Sequence, residues 1–217
     1  MKFGEDNFEL LLPSYLTSEQ KTRLKDALAQ FTIQRETKNP SGELDYSNFV
    51  TRQACEYFKQ SDLVYQIRYP HLNENTFEFE KYYTTAIILS NTCDISDDNT
   101  HTLNKKQCVL APIIELDLYI ETLKTLDDFS DPRLASFLNE LKLQRITNIF
   151  YISDNGGSEY IALLDKIFWF PTDELNSYLE EIDETKLLSL TQFGYYLFLL
   201  KLTFHFSRFP EALDRAV

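Results

Sequence analysis

Five consecutive residues, Asp154-Asn155-Gly156-Gly157-Ser158, hold two of the chain's five glycines and stand between two runs of branched and aromatic residues, Ile146–Ser153 and Tyr160–Phe170. Paired glycines supply the positive φ angles that a tight hairpin needs. The two runs are therefore expected to be strands joined antiparallel. Three further runs of the same texture, Leu63–Tyr69, Thr84–Ser90 and Cys108–Ile114, predict the rest of an antiparallel sheet or barrel. Material for a core is ample in 217 residues that are 43% hydrophobic, with seventeen phenylalanines and thirteen tyrosines. The scarcity of glycine excludes collagen-like, linker-like and glycine-rich phosphate-cradling designs over most of the chain.

Helical signals surround this strand-rich middle. Thr17-Ser18-Glu19-Gln20 fits a capping box, and Leu24, Ala27, Leu28 and Phe31 follow at helical spacing. A polar link, Thr37 to Leu44, leads to a weaker helical pattern from Tyr46 to Lys59, so residues 1–60 are expected to form a helical N-terminal extension to the unit 61–217. A helical insertion at about 116–144 follows the third strand. It comprises Leu116–Leu126 and a second helix with Asp131-Pro132 as N-cap and first helical position. Another short helix is expected near Thr172, where Asp173 and Glu174 suit a helix start. The most apolar element, about 187–208, predicts a helix buried on most faces.

The formal net charge of −13, from 21 Lys+Arg and 34 Asp+Glu, repels nucleic acid at long range and excludes a broad basic footprint. Three cysteines, Cys55, Cys93 and Cys108, are too few for a disulfide framework and point to a reducing cytoplasm. The opening Met-Lys-Phe-Gly-Glu-Asp places acids where a signal peptide has its apolar stretch. The uncharged run Leu187–Leu200 is too short and too polar to span a bilayer.

Two stretches, Ala86-Ile87-Ile88-Leu89-Ser90-Asn91 and Cys108-Val109-Leu110-Ala111-Pro112-Ile113, resemble the central strand pair of the PemK/MazF toxins, and Tyr160 to Ile167 is similar to that family's late strand. The string Ser90-Asn91-Thr92-Cys93-Asp94 resembles a Ser-x-x-Cys-Asp signature of uncharacterised bacterial proteins related to those toxins. The resemblance runs from about Leu63 to Leu202. It implies an α+β fold: a small Src-homology-3-like antiparallel β-barrel with helices packed outside. The toxins are endoribonucleases that use an arginine before the first of these strands and a threonine after the Pro-Ile step. Here those positions hold Thr84 and Ile114, neither of which stabilises charge developing on a phosphate. The resemblance therefore implies a divergent, non-catalytic protein that acts by contacts in a bacterial toxin, anti-phage defence or mobile-element module. The alternative is an endoribonuclease rebuilt around Cys93 and Asp94, with Lys81 or Arg68 as substitute cations.

Two residue groups follow as candidate sites. The first is the loop Ser90, Asn91, Thr92, Cys93 and Asp94, at a strand end where function commonly sits. An aspartate beside Cys93 disfavours the thiolate, so recognition fits this loop better than covalent catalysis. The second is a basic strip of Lys201, His205 and Arg208, at i, i+4 and i+7 of the last helix. Cys93, Asp94, His101 and Cys108 lack the paired spacing of a zinc knuckle, and no metal or other cofactor is expected. A protein partner from the same operon is the expected ligand, RNA is a second candidate, no membrane association is expected, and self-association is left open.

Overall fold

A computed structural model describes residues 16–31, 49–52, 57–73, 75–96, 107–126, 130–154, 156–181 and 188–207. The link Thr37–Leu44 and the expected roles of Cys55, His101, Asn155 and Arg208 lie outside the described residues. The fold is α+β, with eight strands in one antiparallel sheet and six helices among the described residues.

Strands β1 (Val50–Arg52), β2 (Asp62–Leu72), β3 (Phe79–Ile88), β4 (Gln107–Glu115), β5 (Ile149–Ser153), β6 (Glu159–Leu163) and β8 (Leu188–Leu190) lie in the order β1-β8-β2-β3-β4-β6-β5. Strand β7 (Phe168–Pro171) also pairs with β4. The sheet is not closed: β1 and β5 end the order. The helices are α1 (Ser18–Phe31), α2 (Thr92–Ile95), α3 (Leu116–Lys124), α4 (Asp131–Lys142), α5 (Thr172–Glu181) and α6 (Gln192–Ser207). None is long and apolar enough to cross a membrane.

Local signals explain several of these elements. The box at the start of α1 forms reciprocally: the Gln20 amide donates to Thr17 Oγ1 at 3.2 Å, and the Thr17 amide donates to Gln20 Oε1 at 2.9 Å. The β5–β6 hairpin turns at Gly157, whose φ is 85°. Asp154 Oδ1 accepts the amides of Gly156 and Ser158, each at 2.8 Å.

The run Tyr160–Phe170, expected as one strand, is two. Ile113 faces Ala162 on β6 and Leu110 faces Phe168 on β7, so a step of three on β4 spans a step of six opposite it. The extra residues form a turn after Leu163. Pro112 sits at this break, where its missing N–H falls in a gap in the ladder.

Other expectations are corrected. Within Tyr46–Lys59, expected to be helical, Val50–Arg52 form β1, because pairing with β8 outweighs a weak helical period. Leu188–Leu190 likewise leave the expected last helix to become β8. The N-cap of α4 is Ser130, one residue earlier than expected, with Asp131-Pro132 inside the first turn.

The sheet buries both faces. On one, α1 and α6 join Leu63, Ile87, Ala111, Phe150, Ile152 and Ile161 in the larger core, and Phe150 meets Phe49 and Phe198 ring to ring at 6.3 and 5.1 Å. Helix α6 approaches the chain at Phe49 so closely that a Cβ on Gly194 would stand 2.8 Å from the Phe49 carbonyl oxygen. On the other face, Val64, Ile67, Ile88, Leu110, Phe168 and Phe170 form a smaller core with Ile95 and Leu175. This face curls. Tyr69 on β2 and Phe168 on β7 meet edge to face at 5.0 Å although β3 and β4 lie between their strands. A flat sheet would hold strands three places apart roughly 14 Å from each other. The β2 bulge between Val64 and Ile67, with Gln66 at φ 55°, accommodates the bend.

Candidate functional site

The loop after β3 is built by side chains that bond to backbone. Ser90 Oγ accepts the Val109 amide at 2.8 Å, tying the loop to β4. Asn91 caps the single turn of α2, its Oδ1 accepting the Cys93 amide at 3.0 Å. Thr92 Oγ1 accepts the Gln60 amide at 3.0 Å. Ile95 anchors the turn in the smaller core. Cys93 and Asp94, expected in an irregular loop, lie on this turn with both side chains exposed.

A second layer, which no local sequence signal marks, sits beneath the loop. Gln60 donates through Nε2 to the Leu89 carbonyl at 2.7 Å and accepts from the Tyr195 hydroxyl at 3.1 Å, so the loop is braced by β3 and α6 together. Asp62 is 1% exposed, and its carboxylate takes the Lys59 amide at 2.8 Å and the Ser189 hydroxyl at 2.5 Å. These bonds satisfy a buried carboxylate and pin β8 to β2. Ser61 between them holds φ 75°, a backbone state L-residues rarely adopt. Tyr195 is far from Gln60 in sequence, which is why only the fold reveals the brace.

The other predicted residues fall apart in space. Cys108 is buried on β4 with its thiol toward the Phe170 carbonyl at 3.4 Å, and burial pushes that thiol up to about 11. It is a packed, protonated side chain. Thr84 is half-buried and donates its hydroxyl to the Thr85 carbonyl at 3.0 Å, while Ile114 packs against the larger core. Arg68 is ion-paired with Glu174 on α5, and the Lys81 side chain lies outside the described residues.

The basic strip does not form as expected. Lys201 is 1% exposed, its ammonium donates to the Gln144 carbonyl, and burial pushes it down to about 7. A helix wheel groups Lys201 with His205 but does not tell which side the core takes. Helix α6 is apolar around most of its girth, and its Lys201 side is the one that is covered. His205 is half-buried beside Phe206, with ring centroids 4.9 Å apart.

Chemically, the loop presents a thiol and a carboxylate on a capped helical turn, while the side-chain oxygens of Ser90, Asn91 and Thr92 are engaged by backbone amides. No family model matches this chain, and neither does any curated protein or solved structure.

Proposed function

We propose that this chain is a divergent PemK/MazF-like barrel protein that works by contact rather than catalysis, within a bacterial toxin, anti-phage defence or mobile-element module. The observation that carries the reading is the construction of the Ser90–Ile95 loop. Three of its polar side chains hold the turn, and the outward pair, Cys93 and Asp94, suits recognition better than nucleophilic attack. The curl that brings Tyr69 to Phe168 supports the barrel-like part of the reading. The ion pair of Arg68 with Glu174 weakens the case for a substitute catalytic cation.

The expected partner is a protein, met at the loop. A thiol-directed crosslinker on Cys93 in the producing cell should give one dominant adduct, absent in Cys93→Ser and lost in Asp94→Arg. The Asp94→Arg melting temperature should shift by no more than about 2 °C, as for an exposed substitution. Discrete cleavage of single-stranded RNA that disappears in Cys93→Ala or Asp94→Ala would replace contact with catalysis.

A further inference from the structure

The strand edges left unpaired among the described residues are unequal. β1 is three residues long and β7 four. β5 is plugged: Gln144, itself buried, gives its side-chain amide to the Tyr151 carbonyl at 2.6 Å and takes the Tyr151 amide at 3.2 Å. A carboxamide there makes the pair of bonds that a neighbouring strand would make. β2 carries Pro70 opposite Lys81. Such devices are how sheets protect their edges.

The outer edge of β3 is different. Among the described residues, Phe79 to Thr84 pair with β2 alone, because the β4 ladder begins at Thr85. Two prolines fix the direction of its backbone groups. Pro70 has no N–H for Lys81, so that pair is the non-bonded kind and Lys81 turns its amide and carbonyl away from β2. Pro112 has none for Ala86, so Ala86 points toward β2, and alternation sends Phe79, Lys81 and Tyr83 the other way. The Ile88 carbonyl accepts from Ser61 on the β2 side, and the Leu89 amide donates to Val109 on the β4 side, in agreement. No described strand pairs with the outward groups of Phe79, Lys81 and Tyr83.

Two exposed tyrosines stand along this edge. Tyr82 and Tyr83, 50% and 63% exposed, alternate across the two faces, and Phe77 is exposed at the turn. A two-stranded ribbon is marginal by itself, and a third strand flanked by tyrosines would complete it. We propose that β3 accepts, along Phe79–Thr84, an extended segment of a partner protein in which basic residues alternate with β-branched ones. The basic character follows from charge. A chain of net −13 repels a second copy of itself and attracts a cationic strand. This edge is separate from the Ser90–Ile95 loop, and the two readings stand or fall independently.

The test uses the full chain and a short synthetic peptide of alternating lysine and valine, with a glutamate–valine peptide as control. At low salt the lysine–valine peptide should slow hydrogen exchange at the Phe79, Lys81 and Tyr83 amides by roughly tenfold or more. The control peptide should leave them unchanged. Lys81→Pro removes the central outward N–H and leaves the β2 ladder intact, so it should abolish the protection. Tyr83→Asp, which keeps every backbone group, should weaken it in parallel. Protection already present without peptide, protection that grows with protein concentration alone, or peptide-induced changes confined to other strands would each overturn the proposal.

Discussion

The two faces of the sheet are held by different means. The larger core is a contract between distant parts of the chain: α1, β1 and α6 close over strands from the middle. The smaller core is enclosed by the sheet's own curl, with α2 and α5 filling what the curl leaves open. Stability should therefore concentrate on the first face, and the candidate loop, anchored by Ile95, belongs to the second. Damage to the first face should unfold the protein. Damage to the second should first loosen the loop.

The largest effect tests the first half of that comparison. Phe150→Ala removes a ring packed between Phe49 and Phe198, and should cost about 3–5 kcal/mol in urea or thermal unfolding. Ile95→Ala in the smaller core should cost about 2–4 kcal/mol, near the lower end expected for such truncations. Its mark should be accelerated hydrogen exchange at Cys93 and Asp94 before exchange rises in β5 and β6. If loop and sheet exchange rise together, the two cores are one cooperative unit.

A third prediction concerns the charge embedded in the first face. Lys201 titrates near 7 in the folded protein against an ordinary lysine value near 10.4, so below pH 7 both states carry the proton and the burial cost is fully felt. Above pH 7 the unfolded chain binds more protons than the folded one, and stability rises with pH. Between pH 6 and 8.5 the gain should be about 2 kcal/mol. It should vanish in Lys201→Met, which should also be the more stable protein at pH 6. Above pH 9 the trend should reverse. Cys108 and Tyr151 have raised values, both chiefly from burial, so their contribution is lost as the unfolded groups ionise. The smallest effect is at the rim of the first face: Thr17→Ala breaks one half of the α1 cap and should cost about 1 kcal/mol by thermal melting.

Features whose physics is local were legible in the sequence. The glycine pair gave the β5–β6 hairpin, Thr17 and Gln20 gave the start of α1, and acids after Pro171 gave α5. Features decided at long range were not. Three residues of Leu188–Leu190 look like any apolar run until β1 and β2 flank them. Lys201 looked like a surface cation because periodicity assigns a face without saying what covers it. Of the candidate loop, the position was legible and the bracing by Gln60, Asp62 and Tyr195 was not. A buried polar residue betrays itself only through partners brought near by folding.

The close approach at Gly194 has a consequence for how this protein is made. Among the described residues, the earliest segments and the latest ones are each other's partners: β1 waits for β8, Phe49 for α6, and α1 for the same helix. On a ribosome adding about 5–20 residues per second, the interval between Phe49 and Gly194 is on the order of ten seconds. Throughout it Val50 lacks its β8 partner, Phe49 lacks the Phe193 ring, and α1 has no α6 to dock on. The nascent chain therefore leaves part of this apolar segment uncovered until β8 and α6 have been made. A substitution at residue 194 would act on the yield of that final docking step even where the finished sheet tolerates it.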